Sequence, residues 1–270
     1  MQINDALQHL NRLPAFPAVL QEVVASLNAK AVNMEALAHT IGLDEALTAK
    51  ILRVANSAFY GFPREIASVQ EALVILGLGG VQSLVLSAGL VQAFDGPGGS
   101  LDRDAHWQQS FRVGIYARTV ARCIRASSDV AFTAGMLHNI GQLALDVCLP
   151  EQFAEATARA EEMGGLMAAE EAVLGFNHAT LGAELARRWN FPGVIERAIR
   201  DCHAGPTADF EPVTGAVAVA IALEEGAAAE AALERLPAPI RERYALDGAR
   251  LVAELPAPEI IEAGIEALIA

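Results

Sequence analysis

Ala134-Gly-Met-Leu-His138-Asn139-Ile-Gly141-Gln142 is the stretch on which the reading of this chain turns. A histidine followed by an aspartate can put two ligands on one divalent cation, imidazole suiting borderline metals and carboxylate hard ones. The carboxylate would offset the cation's charge and hold the metal that acidifies a bound water. Here the second position is Asn139, an uncharged amide, and Gln142, three residues on, is uncharged as well. The stretch offers an apolar, glycine-containing helical frame around one histidine, with no charged group beside it. That pattern predicts a fold retained for regulation or scaffolding.

The 270 residues suffice for one large domain or two small ones with a full core. The chain is rich in Ala, Leu, Val, Glu and Arg, and few segments are dense in β-branched or aromatic residues. The expectation is therefore an all-α protein. The formal net charge of -14 is uneven, -2 over residues 1–150 and -12 over residues 151–270. An acidic surface repels phosphate backbones and anionic lipids, so neither nucleic acid nor membrane is an expected partner. Cys123, Cys148 and Cys202 lie far apart and form no pair motif. That sparse, odd count suits a reducing cytosol, and no signal-peptide pattern opens the sequence, so the expected location is cytoplasmic. The longest apolar stretch, Leu73–Leu90, is interrupted by Gly77, Gly79, Gly80, Gln82 and Ser87 and reads as buried helix.

Capping residues divide the first part of the chain. Pro17 can open a helix running to about Asn28. Asn33 caps one over Met34–Ile41, which Gly42 stops, and Asp44 caps a third whose apolar stripe is Leu47, Ile51, Leu52, Val54 and Ala55. This pair could be read as a DNA-binding helix–turn–helix offering Lys50 and Arg53. Asp44 and Glu45 would then face phosphate, so two packed core helices is the preferred reading. Ser57–Gly61 ends a helix. Ser68 caps the next through Leu76, Gly77–Gly80 breaks it, and a further helix runs to about Phe94. The break lacks the Gly-Lys-Ser/Thr ending of a phosphate loop.

Asp95-Gly-Pro-Gly-Gly-Ser100 reads as a flexible connection between an N-terminal lobe, residues 1–95, and a second lobe, residues 101–212. Later helices are expected over residues 104–125, 129–148, 150–162, 167–174, 178–189, 192–202 and 212–226. Residues 213–270 are expected to form a helical extension packed on the second lobe.

Several ordered motifs carry a family resemblance: Leu13-Pro-Ala-Phe16-Pro17, Asp44–Arg53, Ala55-Asn56-Ser57-Ala58-Phe59-Tyr60-Gly61, Ala72–Gly77, and Asn177-His178 followed by Trp189, Pro192 and His203. Over about residues 10 to 210 the chain resembles the HDOD family, the HD-related output domains of bacterial signalling. The resemblance implies a two-lobed all-α fold built on the core of the HD metal-dependent phosphohydrolases. It implies a usually non-catalytic regulatory module, whose partners are proteins of two-component or cyclic-di-GMP-related pathways.

Carrying the parent HD pattern across puts Gln109 in the register of the first metal-ligand histidine, with His106 one helical turn earlier on about the same face. The doublet becomes His138-Asn139, the lysine Gln142, and the helix Val213–Leu223 that should supply a final Asp has no acid. The implied remnant pocket is Gln109, His138, Asn139, Gln142, His178 and His203, with no catalytic residue and no charge compensation. No cofactor is expected; a divalent metal, if one is held, would fall to His138, His178 and His203. The alternative is a metal-dependent phosphohydrolase with a His-Asn variant site.

Each histidine also has a structural reading. His138 can be a hydrogen-bonded core residue, His178 part of a helix start, and His203, before Gly205-Pro206, a cation at a helix end. Asn56, Phe59, Tyr60 and Arg64 read either as helix termination with core packing or as an interaction surface; both stand open on sequence alone. Trp107 and Trp189 read as core, and Cys123, within the Arg118–Arg125 stretch, as part of a solvated face.

Overall fold

The structure, a computed structural model, describes residues 13–96, 99–204 and 211–269. Every regular element in that range is helical. The first lobe holds α1 (Ala18–Leu27), α2 (Met34–Gly42), α3 (Glu45–Ala55) and α4 (Val69–Ala93). The second holds α5 (Arg103–Cys123), α6 (Ser128–Leu137), α7 (Ile140–Cys148), α8 (Pro150–Arg159), α9 (Leu166–Leu174), α10 (His178–Arg188), α11 (Gly193–Asp201) and α12 (Pro212–Glu224). Three short helices follow, α13 (Ala229–Leu233), α14 (Ala238–Arg243) and α15 (Gly248–Glu254), and then α16 (Pro258–Ile269).

Local side-chain chemistry sets the early helix starts. Asn33, Asp44 and Ser68 each accept a hydrogen bond from the backbone N–H three residues on. Each such cap contributes about 1 kcal/mol. α4 is bent at Gly77, whose φ of 74° and ψ of 171° lie outside the helical region and favour glycine. α4 is also long and apolar enough to cross a membrane by length and composition. Its later half, from Gly80 to Val91, is buried throughout in the protein core.

α5 is the axis of the second lobe. It packs against α6 and α12, and α12 also packs against α6 and α11. α12 therefore belongs to the core of this lobe, on the far side of the boundary expected at residue 212. Close approach explains two glycines. A Cβ on Gly135 would fall 2.8 Å from the Gly114 Cα, and one on Gly141 would fall 1.9 Å from the His178 carbonyl oxygen. These contacts let α6 meet α5 and α7 meet α10 backbone to backbone.

The lobes are joined in several places. Phe16 stacks on Trp189 at 4.5 Å, and Asn28 Nδ2 donates to the Asn190 carbonyl at 2.8 Å. Trp189 is half-buried in this stack, whereas Trp107 is a core residue. The Ser83 and Thr133 hydroxyls meet at 3.0 Å between α4 and α6. α16 lies against α3 and α4 as well as α5, so the C-terminal extension spans both lobes instead of sitting on the second alone.

The connection between the lobes differs from the expected flexible linker at its downstream end. Asp146, fully buried, accepts from Gly99 N at 2.8 Å and Leu101 N at 3.0 Å. The guanidinium of Arg103 lies 3.6 Å from the same carboxylate and donates to the Phe94 and Gly96 carbonyls. Residues 97 and 98 lie outside the described range, as do Gly205 and Pro206.

Candidate functional site

The expected helix over residues 129–148 is broken at its centre. α6 ends at Leu137 and α7 begins at Ile140, so His138 and Asn139 form the junction. His138 N donates to Gly135 O and Gln142 N to Asn139 O, both three residues back, the spacing of a tighter turn. The bend turns His138 inward while Gly141 approaches α10.

α10 starts with His178 behind the cap Asn177, whose side chain accepts from Thr180 N. His203 follows the end of α11. The rings converge: His178 and His203 have centroids 5.4 Å apart, and His138 and His203 lie at 6.1 Å. His138 and His178 are 1% and 2% exposed.

The register of α5 corrects the expected pocket list. His106 is buried, faces His178 electrostatically, and has Gln142 beside it, although neither of its ring nitrogens finds a partner at hydrogen-bond geometry. Gln109, one turn on, is only half-buried. The histidine of α5 thus stands where the sequence register had put the glutamine.

A second correction concerns charge. Glu170 on α9 is completely buried, and its Oε2 accepts from His178 N at 2.8 Å and from His178 Nδ1 at 2.7 Å. A carboxylate is therefore present, but it is engaged behind the imidazole. Its bond calls for a proton on His178 Nδ1. His138 Nδ1 lies 2.7 Å from the Gly135 carbonyl, which can only accept, so Nδ1 carries a proton there too. His178 Nε2, His203 Nε2 and Asn139 Oδ1 are buried without partners.

Burial dominates the acid–base behaviour of the cluster. It pushes His106 down to about 4, helped by the neighbouring His178. It likewise pushes His203 to about 4, with His178 and then Arg235 adding to the shift. His138 is held well below its ordinary value by burial and then by His203, against the opposing bond to Gly135. Protonation would place a cation among other imidazoles in a dry site.

This donor set does not fit the divalent-metal centre of an HD hydrolase. Imidazoles and one carboxamide face the pocket, and the one carboxylate touching them is spent on His178 Nδ1. Among the described residues no group of three or more His, Cys, Asp or Glu stands where it could hold a metal ion.

The other constellation divides. Asn56 bonds both ways with the Ile66 backbone, Nδ2 to O at 2.9 Å and Oδ1 from N at 2.7 Å, and so closes the loop after α3. Phe59 packs edge-on against Phe111 at 5.7 Å. Tyr60 is half-buried, stacked on Phe62 and beside Arg118, and burial raises its hydroxyl pKa. Arg64 is 69% exposed and pairs with Glu71. Three of the four therefore do structural work, and Arg64 alone is largely open to solvent. The Cys123 thiol is buried and its pKa is raised for that reason, so the nearby arginines do not activate it.

Sequence reasoning missed Glu170 and the Asp146–Arg103 pair, and it preferred Gln109 to His106 on α5. His106 carried a signal, a histidine one turn from the expected position. Glu170 carried little, because the helix that holds it reads as ordinary Ala/Glu surface until its packing is known.

The HDOD domain profile matches residues 13–205. An uncharacterized protein of Treponema pallidum (strain Nichols) is 28% identical over 219 residues, 78% of this chain and 42% of its own length, so the chain spans about two-fifths of that relative. An HDOD domain protein of unknown function from Geobacter sulfurreducens superposes with a TM-score of 0.79 at 24% identity, covering 98% of this chain and 99% of its own. A provisionally named phosphohydrolase of Shewanella amazonensis SB2B gives 0.79 at 23% identity, with 98% of both chains covered. A provisionally named signal transduction protein of Marinobacter aquaeolei VT8 gives 0.71 at 22% identity, covering all of this chain and 62% of its own. At these identities the structural likeness concerns the fold.

Proposed function

The chain belongs to the HDOD family, and from that premise we propose that it is a non-catalytic signalling module of bacterial type. It acts in the cytoplasm through contacts with proteins of a signalling pathway, and its pocket receives a small ligand without turning it over.

One observation carries this reading. The buried carboxylate of the pocket is bonded to His178, and what faces inward is imidazole and carboxamide. In the parent HD pattern the carboxylate of the doublet helps to hold the cation that generates hydroxide, and Asn139 supplies no such charge. General acid–base catalysis near pH 7 needs a group whose pKa lies near 7. His106 and His203, at about 4, are poor general bases and are not protonated to serve as acids at that pH. The burial of the unpartnered atoms supports a receptor role, since each lost hydrogen bond in a buried site costs about 1–3 kcal/mol until a guest or water supplies it.

Elemental analysis of the purified protein, with turnover assays on nucleotides and phosphodiesters, tests the proposal. The expected result is no stoichiometric metal and no turnover above background. Stoichiometric metal with activity abolished by His138→Ala would overturn it in favour of a His-Asn phosphohydrolase. Affinity capture from the native cell should return signalling proteins.

A further inference from the structure

Away from the histidines, a cavity of about 350 Å³ opens between the lobes, walled by the end of α1, the bend of α4, the start of α6 and α11. That volume lies in the range of small-ligand sites. Its floor is apolar, with Leu78 and Ile195 among its residues. Its wall is polar and buried. Gln82 is 5% exposed, Ser83 4% and Thr133 2%.

The hydrogen bonds of this wall are unevenly used. Ser83 and Thr133 are satisfied by one another and by the Asp129 carbonyl. Gln82 is not. Its Nε2 donates one hydrogen to Ser26 Oγ at 2.7 Å, and its side chain makes no other hydrogen bond among the described residues. A second N–H and the carbonyl oxygen of this carboxamide, which lines the cavity, make no bond among the described residues. That adjacent donor–acceptor pair matches the N6–H and N7 of adenine, the pairing by which glutamine reads adenine in nucleic acids.

Charge narrows the ligand further. Lys30 is the one base lining the cavity and Asp129 the one acid. Asp129 is neutralised by Arg118 at 2.6 Å. Lys30 is thus the one charge of the lining that no neighbouring side chain offsets, on a chain of net charge -14. We propose that this inter-lobe cavity binds an adenine mononucleotide, the base against Gln82 and the phosphate against Lys30. Such a ligand would touch α1 and α4 of the first lobe together with α6 of the second. α6 runs from this cavity to the His138-Asn139 junction, so its occupancy can reach the histidine pocket through one rigid element.

Calorimetric titration of the full chain with 5′-AMP, adenosine, 5′-GMP and inorganic phosphate tests the site. Expected are saturable binding of AMP at one site, weaker binding of adenosine and GMP by about tenfold each, and none of phosphate. Gln82→Glu keeps the size but replaces the donor, and should weaken AMP about tenfold. Lys30→Ala lies on an exposed residue that the fold does not need; it should weaken AMP severalfold and leave adenosine unchanged. No saturable heat with AMP up to about 10 mM, equal affinity for AMP and GMP, or AMP affinity unaltered by both Gln82→Glu and Lys30→Ala would overturn the proposal.

Discussion

Two buried polar centres sit in the second lobe, and their carboxylates are put to different use. At Asp146 the carboxylate meets two backbone N–H groups and a guanidinium, and the loop it holds joins the lobes. At the histidine pocket, the carboxylate of Glu170 holds one imidazole, and beyond that imidazole the atoms have no partner. A carboxylate bonded on both oxygens is a fastening, even though Arg103 Nε and Nη2 beside it have no hydrogen-bond partner. A pocket of several unpartnered atoms is held open by the rest of the fold at a cost, and its role lies in what it receives.

The most damaging way to break this contrast is Asp146→Ala. It would strand the Arg103 charge and the N–H groups of Gly99 and Leu101 in the interior. Removing one partner of a buried pair costs about 3–5 kcal/mol, and urea unfolding should show a loss of that size; an unchanged midpoint would mean that the connection is not fastened there.

Acid should act on the other centre. His106 and His203 have folded pKa values of about 4 against an unfolded value near 6.5. Between those values the unfolded chain binds more protons than the folded one, so the cluster lowers stability as pH falls. The contribution is fully kept above about pH 6.5 and is lost progressively down to about pH 4, by up to about 1.4 kcal/mol per pH unit for each histidine. Denaturation midpoints measured across that window should fall, and replacing His106 and His203 together should flatten the curve.

Glu170→Gln sharpens the comparison more gently. One carboxylate oxygen already lacks a partner, and the amide oxygen can still accept from His178, so the expected loss is about 1 kcal/mol by thermal melting. The informative readout is the nitrogen-15 chemical shift of the His178 ring, which should show a shift in tautomer balance. Arg64→Ala marks the lower bound: its ion pair with Glu71 is exposed on the arginine side, and a stability change of at most about 0.5 kcal/mol is expected.

What the sequence made legible follows the range of the interactions. Asn33, Asp44 and Ser68 could be identified because each cap acts on a backbone group three residues away. Gly77 could be identified because a run of glycines interrupts an apolar pattern. The histidines and the lost charges of the doublet were visible as residue types. The choice between His106 and Gln109 depended on how α5 is rotated against α7 and α10, which no local pattern fixes. The anchoring of Gly99 depends on Asp146, 47 residues away, and so the segment read as loose. Glu170 was invisible for the same reason, since an acid on a helix is ordinarily solvated.

The position of α16 has a mechanical consequence. A Cβ at Gly264 would fall 2.9 Å from Phe111 of α5 and 3.1 Å from Phe59, which follows α3, so one glycine lets this helix seat across both lobes at once. Traction applied to the last residues would peel this strut away before either bundle was loaded, and the bundles would then be free to hinge. A force-ramp trace of the intact chain should therefore begin with a short, low-force extension of about a dozen residues' contour, ahead of the main rupture.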